Sequence, residues 1–359
     1  MSTLFYVIVA VFIFGVLIAV HELGHFLAAR ACGVRVLEYA IGMGPAIVSR
    51  VSKRGTKISW RCLPVGGYCA MEGEDSDSDD PHAFSNAARW KRLIILVAGA
   101  AMNFLLGFVL IFCCFAGQDS FLTPEITGFM TGCPYVGEDG FQEGDVFYRV
   151  DGRRVWFSGD VATELARSDS ATRDILILRD GEKILLEDYP LVKCDYIDED
   201  TGETVQMYGF YFGVKETGLA AKLKYSWYCA LDFVRDVWDG LVSLVTGRVA
   251  VSEMSGVVGI VDVIAQTGEA SATASDAALN IAYLSALIAV NLAVMNMLPF
   301  PALDGGRVFF LLVTWLPEKL LGRPINKKYE AIINTAGLML LLALMVYLIF
   351  NDVARIITR

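Results

Sequence analysis

Four long stretches of the chain contain no charged residue and separate its apolar from its polar parts. They run over residues 3–20, 93–117, 277–303 and 331–350, with lengths of 18, 25, 27 and 20 residues. At 1.5 Å per residue the shortest spans roughly 27 Å as a helix, close to the ~30 Å hydrocarbon core of a bilayer. The pattern therefore predicts four transmembrane helices. A cleaved signal peptide is the alternative for the first stretch, but such a peptide begins with basic residues, and here the first basic residue is Arg30.

Residues 118–224, between the second and third apolar stretches, have the character of a water-soluble domain. Short apolar runs alternate there with turn signals such as Asp151-Gly152 and Asp180-Gly181. The second signal separates the runs 175–178 and 184–186, which predicts a β-hairpin. We therefore predict one small α/β or mostly-β domain in this insert.

The stretch 225–248 that follows mixes large aromatic residues, such as Trp227 and Trp238, with charged residues such as Asp232. Apolar and charged residues on opposite faces favour an amphipathic helix lying in the membrane interface, and we predict such a segment over 225–276. The alternative is a helix that packs against the soluble domain.

The composition agrees with a membrane protein and limits its partners. Of the 359 residues 55% are hydrophobic and 19% charged, and the mean hydropathy is +0.50, whereas a soluble domain carries about 25% charged residues. The formal net charge of −10 argues against a nucleic-acid partner, which would need clustered Lys and Arg. All of this charge is accounted for by residues 118–224, which hold 11 basic and 21 acidic residues.

Basic residues indicate the side of the membrane on which each loop lies. Ten Lys or Arg residues fall between Arg30 and Arg92, and the loop 304–330 is also basic. Cytoplasmic loops are enriched in Lys and Arg, so both loops are predicted to be cytoplasmic. The N-terminus, the insert and the C-terminus are then predicted to lie outside.

The eight cysteines form no C-x-x-C pair, so they predict neither a zinc ribbon nor a dithiol redox motif. Cys133 and Cys194 both fall in the predicted external insert. Whether they pair stays open, because sequence spacing does not tell how far apart their Cα atoms lie.

The first apolar stretch runs directly into His21-Glu22-Leu23-Gly24-His25, and the chain has only three histidines. Residues i and i+4 share a helix face, so both imidazoles can reach one metal ion, with Glu22 beside it as a proton acceptor. Polar side chains at this depth are costly in lipid, and metal binding compensates that cost. The alternative is that they merely face lipid headgroups. We predict a zinc site that keeps an open position for water, as hydrolytic sites do.

A third ligand must come from elsewhere in the chain, and Asp304 is the best candidate. It follows the third apolar stretch, just after Pro299 and Pro301. Two prolines cannot both continue a helix, so the backbone is predicted to open there, and open backbone at membrane depth is tolerated where it lines a cavity. His82 is the alternative ligand, and a simple helix-ending turn is the alternative explanation of the prolines.

Together these motifs resemble the site-2 protease family, in particular its bacterial RseP/RasP type of intramembrane zinc metalloprotease. The similarity covers essentially the whole chain in the family's order. Besides HELGH it rests on segments 63–68 (LPVGGY), 99–104 (GAAMNF), 140–152, 254–260 (MSGVVGI) and 296–305 (NMLPFPALDG). One departure is Arg307, which stands where bacterial relatives often have His.

The resemblance implies that His21, His25 and Asp304 bind Zn²⁺ and that Glu22 is the general base. It also implies a set of substrate-binding positions, namely Gly66, Gly67, Asn103, Asn296, Pro299 and Pro301. The implied substrates are single-pass membrane proteins already cut by another protease, such as anti-sigma factors, and remnant signal peptides. The implied location is the bacterial cytoplasmic membrane, in contact with lipid, with the active site toward the cytoplasm.

The expected fold is a polytopic α-helical membrane protein with a membrane-associated β-hairpin loop and an inserted extracytoplasmic PDZ-like domain. Its expected parts are an N-terminal membrane half with the HExxH helix and a reentrant β-loop (1–117), the PDZ-like domain (118–224), an interfacial amphipathic segment (225–276) and a C-terminal membrane half (277–359).

Other interpretations stay open at this point. A catalytically silent scaffold would bind peptides through the PDZ-like domain, and a metal transporter would need several acidic or His residues along its helices. The Gly66-Gly67 loop is expected to hold an unwound substrate segment by strand addition, with an ordinary cytoplasmic turn as the alternative. The PDZ-like domain would admit only trimmed substrates, or it is a passive insert.

Overall fold

The computed structural model describes residues 3–74, 78–167, 170–197, 203–216, 218–321 and 327–358. The helices are α1 (Thr3–Cys32), α2 (Arg89–Ala116), α3 (Ser158–Ala166), α4 (Leu219–Val245), α5 (Val257–Ala270), α6 (Ala274–Asn296), α7 (Asp304–Leu321) and α8 (Lys327–Ile357). The strands are β1 (Val36–Val51), β2 (Lys57–Met71), β3 (Ser120–Phe129), β4 (Val146–Val150), β5 (Arg153–Arg154), β6 (Thr172–Arg179), β7 (Glu182–Pro190), β8 (Cys194–Ile197), β9 (Thr204–Met207) and β10 (Phe210–Glu216). The chain divides into two units, one of Met1–Cys114 with Cys229–Arg359 and one of Phe115–Tyr228.

Four helices, α1, α2, α6 and α8, are long and apolar enough to cross a membrane. They confirm the four predicted spans. Helix α1 continues without a break through the HELGH motif to Cys32, so the motif lies on a membrane helix. Helix α6 ends at Asn296, before the two prolines, which confirms that the backbone opens there. The segment 304–330 was expected to be a loop, but Asp304–Leu321 is helical, with Asp304 in the first turn, where a negative charge stabilises a helix.

Residues 225–276, predicted as one amphipathic segment, contain most of α4 and all of α5. Ile264 and Ala265 of α5 are buried in a core with Tyr6 and Ala10 of α1. Helix α5 therefore belongs to the packed interior of the first unit.

The second unit is built on an antiparallel sheet with the strand order β10-β3-β4-β6-β7, and β5 pairs with β4. Its core contains Phe141 and Phe147 together with residues of β6 and α3. Strands β6 and β7 form the predicted hairpin, and the positive φ of Asp180 (51°) and Gly181 (85°) matches the tight turn that the Asp-Gly pair favours. Cys133 and Cys194 are both free thiols in this structure.

In the first unit, β1 and β2 form a long, irregular hairpin between α1 and α2. Residues 36–41 pair with residues 67–71 and also lie beside residues 57–60. Residues 57–60 in turn pair with residues 48–51. Within the described hairpin, residues 67–71 have this single strand neighbour and form an edge of the small sheet. The hydroxyl of Tyr39 donates to the carbonyl oxygen of Ala19 at 2.8 Å, which fixes the sheet against α1.

A carboxylate network holds the hairpin together. Glu38 accepts hydrogen bonds from Ser59 (2.6 Å) and Arg61 (2.8 Å) and forms an ion pair with Lys57 (3.3 Å), while Arg61 also donates to the hydroxyl of Tyr68. Partial burial would raise the pKa of Glu38, but bonds from these four neighbours outweigh burial and lower that pKa to about 2. The ionised Glu38 therefore joins β1 to both halves of β2.

We predict that Glu38→Gln loosens the hairpin without affecting the second unit, because the charged partners of Glu38 lose the negative charge with which they pair. Hydrogen exchange of the β1 and β2 amides should become roughly tenfold faster, whereas Lys53→Gln, at the exposed turn between these strands, should change little.

The contribution of Glu38 to the stability of the hairpin depends on pH. Because the pKa of Glu38 falls from 4.5 to about 2 on folding, its stabilisation is complete above about pH 5 and declines as the pH approaches 2. Unchanged exchange in Glu38→Gln would contradict the role given to this network.

Candidate metal centre

Three side chains that could hold a metal ion meet where α1 passes the start of α7. Oδ2 of Asp304 lies 3.0 Å from Nε2 of His21 and 3.2 Å from Nε2 of His25, and the two imidazole nitrogens are 3.2 Å apart. Within the described ranges of the chain, this is the one group of three or more His, Cys, Asp or Glu residues whose ligand atoms converge in this way. The i, i+4 spacing on α1 places both imidazoles on one helix face.

The geometry of these three atoms fits a zinc ion. Zn–N and Zn–O bonds of about 2.0–2.2 Å in a tetrahedron place neighbouring ligand atoms roughly 3.3–3.5 Å apart, slightly more than the separations found here. Oδ2 of Asp304 is buried and makes no hydrogen bond to the described part of the chain, although two nitrogens lie beside it. A cation shared by the three atoms would satisfy that oxygen and leave a fourth position for water or substrate.

A backbone carbonyl orients the ring of His25. Its Nδ1 lies 2.8 Å from the carbonyl oxygen of Ile95 in α2, and since a carbonyl only accepts, Nδ1 must carry the hydrogen. The lone pair of Nε2 then faces Asp304, as a metal ligand requires.

The absence of side chains at two glycines lets α2 approach the histidines. A methyl group at Gly99 would lie 2.7 Å from Cε1 of His25 and 2.8 Å from Cε1 of His21, and one at Gly24 would lie 2.9 Å from the Cα atom of Gly99. Real Cβ atoms do not come so close. The two helices therefore touch through backbone at the height of the metal centre.

A tight turn over residues 297–303 places Asp304. A Cβ atom at Gly305 would overlap the backbone of Met297, and one at Gly306 would overlap the backbone of Phe300. Ala302 has a φ of 73°, a conformation that side chains rarely adopt. The turn thus wraps closely around the first turn of α7 and fixes where its carboxylate projects.

Glu22 lies between this centre and the edge strand of the hairpin. A Cβ atom at Gly67 would be 3.4 Å from Cγ of Glu22, 3.2 Å from Cγ2 of Ile18 and 3.0 Å from the carbonyl oxygen of Ala40. Gly66 and Gly67 belong to β2, so the alternative of an ordinary turn at this place is wrong. The strand brings bare backbone next to the one carboxylate of the HELGH motif.

The other predicted positions do not join the group of three. Asn103 is buried one helical turn beyond Gly99, and its Oδ1 has no hydrogen-bond partner among the described residues. Asn296 ends α6, and Pro299 and Pro301 lie in the turn before Asp304, where Pro301 contacts Gly337 of α8.

His82, the alternative to Asp304 as third ligand, is not part of this group. Its ring is exposed, and its Nδ1 is 3.0 Å from the carbonyl oxygen of Gly33.

Sequence reasoning did not find three features of this centre: the contact of Gly99 with both imidazoles, the Ile95 carbonyl, and an ion pair between Glu74 and Arg307. One signal was available. Gly99, Asn103 and Gly107 recur every four residues, the spacing of small and polar residues on a close helix-packing face.

Comparison with known proteins gives consistent results. The model of peptidase family M50 matches residues 9–344. A protein of Clostridium acetobutylicum named as a zinc metalloprotease is 32% identical over 352 residues, which cover 97% of each chain. The regulator of sigma-W protease RasP of Bacillus subtilis is 26% identical over 431 aligned positions, covering 98% of each chain, and metalloprotease MmpA of Caulobacter vibrioides is 29% identical over 390, covering 96% of this chain and 94% of the relative.

We predict that Gly99→Ala weakens zinc binding at least about tenfold, the effect expected when metal ligands lose their orientation. Alanine is a better helix former than glycine, so α2 itself should persist. Zinc content after dialysis against a graded chelator series measures the effect. Gly107→Ala is the control: its methyl group would meet Cγ2 of Val290 at 2.7 Å, within the packing of α2 on α6. Equal loss of zinc in both variants would refute a specific effect on the ligands.

Proposed function

The chain belongs to peptidase family M50 and is a zinc metalloprotease with several membrane helices, and on that basis we propose that it cuts the transmembrane segments of single-pass membrane proteins. The observation that carries this proposal is the position of the metal centre. His21, Glu22 and His25 lie on α1 itself, in continuity with its apolar stretch. A bond cleaved at this centre must therefore be brought to the membrane helix.

In the proposed site, His21, His25 and Asp304 hold the zinc ion and Glu22 is the general base. When bound, the ion acts as a Lewis acid that polarises the peptide carbonyl and activates water. Glu22 takes a proton from the attacking water and delivers it to the leaving nitrogen, so that the C–N bond breaks and a carboxylate and an amine are released. The complete set of these four residues favours an enzyme over a silent peptide-binding scaffold.

The edge strand of the hairpin is proposed to hold the substrate. A transmembrane helix uses its own carbonyl oxygens in hydrogen bonds, so the segment must unwind before it can be cut. Residues 67–71 offer backbone groups that an unwound segment can pair with by strand addition. Gly66 and Gly67 would let that segment come close to Glu22.

Polar residues around the centre are proposed to complete the substrate site. The buried Oδ1 of Asn103 could accept a substrate N–H, since it lacks another partner in the described chain. Asn296 and the turn with Pro299 and Pro301 would line the side from which Asp304 projects.

The second unit is proposed to be an extracytoplasmic PDZ-like domain over 118–224 that admits trimmed substrates. Its antiparallel sheet with one short helix, and its excess of ten negative charges, are compatible with such an insert. The name of the relative from Bacillus subtilis refers to regulation of sigma-W, and we propose anti-sigma factors already cut by another protease as the substrate class. Remnant signal peptides would share the chemistry of a short, trimmed membrane segment.

We predict that Glu22→Gln retains zinc and lowers cleavage of a model transmembrane substrate by roughly 10²–10⁴-fold, the usual contribution of a general base. His21→Ala should lose both zinc and cleavage. Metal analysis of the purified proteins measures their zinc content, and a gel-based assay measures their cleavage of the substrate. Cleavage by Glu22→Gln at the wild-type rate would show that another group takes the proton.

From the basic loops we predict that the turn between β1 and β2 lies on the cytoplasmic side of the membrane and that the insert 118–224 lies on the outer side. In a cysteine-free background, Glu143→Cys should react with a membrane-impermeant thiol reagent in intact cells. Lys53→Cys should react only after the cells are opened. The reverse pattern would invert the proposed topology.

A further inference from the structure

We propose, building on the proposed function, that Glu74 and Arg307 are positioning residues that fix the substrate-binding edge of the hairpin to the helix carrying Asp304. Glu74 lies three residues beyond β2, and Arg307 lies three residues beyond Asp304 in the first turn of α7. Oε1 of Glu74 forms a close ion pair with Nη1 of Arg307. The pair joins residues that are 233 positions apart in sequence.

The second carboxylate oxygen of Glu74 connects the pair to the strand. Oε2 accepts a hydrogen bond from the backbone N–H of Met71, the last residue of β2, at 3.2 Å. A single carboxylate thus bonds the end of the edge strand on one side and the guanidinium of α7 on the other. Arg307 and Asp304 are spaced i, i+3, so they project from the same side of α7.

This arrangement matters because the two halves of the site come from separate elements. The strand 67–71 would set where the substrate backbone lies, and Asp304 helps to set where the metal lies. A misplacement of about 1 Å between a substrate and its catalytic groups can lower the rate roughly 100-fold. The Glu74–Arg307 pair is a direct side-chain link between the hairpin and α7.

The pair is suited to positioning more than to holding the fold together. The side chain of Glu74 is 16% exposed and that of Arg307 35% exposed, and ion pairs with partial access to water contribute little to global stability. The planar guanidinium fixes direction as well as distance. Removing the pair should therefore change cleavage more than folding.

The test is a double-mutant cycle with Glu74→Gln, Arg307→Gln and the double variant. Glutamine at 74 keeps an oxygen for the N–H of Met71, so it removes the ion pair alone. We expect each single variant to lose roughly tenfold in kcat/KM, with zinc content unchanged, and the double variant to lose no more than either single one. Arg35→Gln is the matched control, since Arg35 pairs with Asp80 at 2.7 Å beside the start of the same hairpin, and this pair includes no residue of α7.

A second readout separates this proposal from the proposed function. Hydrogen exchange of the amides in 67–72 should become faster in both single variants and stay unchanged in Arg35→Gln. If wild-type protein cuts no transmembrane substrate, the proposed function fails, while the exchange data still test the link. Additive losses in the cycle, equal loss in Arg35→Gln, or unchanged exchange in 67–72 would each overturn the link.

Discussion

The proposed chemistry depends on three candidate ligand atoms from two distant parts of the chain meeting about 3 Å apart at a membrane helix. His21 and His25 share one face of α1, and Asp304 arrives at the start of α7. Nothing in the local backbone of either helix brings them together. The meeting requires close packing, and the chain provides it by omitting side chains at the contact of α1 with α2 and, at Gly305 and Gly306, in the first turn of α7. The glycines of this region thus allow the three candidate ligands to meet, although none of them offers a ligand atom itself.

The second constraint is that polar groups in a membrane must have partners. The triad would satisfy its buried carboxylate oxygen through a cation, and the Ile95 carbonyl satisfies the other nitrogen of His25. The hairpin pairs most of its backbone internally and exposes one edge next to Glu22. That edge is the proposed place where a substrate, once unwound, recovers the hydrogen bonds that it gave up as a helix. Under this proposal one arrangement would serve both the metal and the peptide.

Sequence predicted the features that are encoded locally. Uninterrupted apolar stretches predicted the four membrane helices, Asp180-Gly181 predicted its hairpin, and Pro299 with Pro301 predicted the end of α6. The i, i+4 histidines and the isolated Asp304 were enough to name the candidate ligands. Sequence missed the helix α7, because the segment between the third and fourth apolar stretches was expected to be a loop, and it placed the extended Gly66-Gly67 segment only through a family resemblance. The contact of Gly99 and the Glu74–Arg307 pair arise from packing between distant elements; the four-residue recurrence of Gly99, Asn103 and Gly107 marks a packing face of α2 but does not say which side chains it meets, and the Glu74–Arg307 pair has no local pattern at all.

X-ray absorption at the zinc edge of the purified, unchelated wild-type protein tests the central claim most directly, because it reports the ligands of the ion itself. The account predicts a first shell of nitrogen and oxygen at about 2.0–2.2 Å, with the outer-shell scattering of two imidazole rings and no sulfur. A sulfur shell at about 2.3 Å, or scattering from a single imidazole, would contradict it.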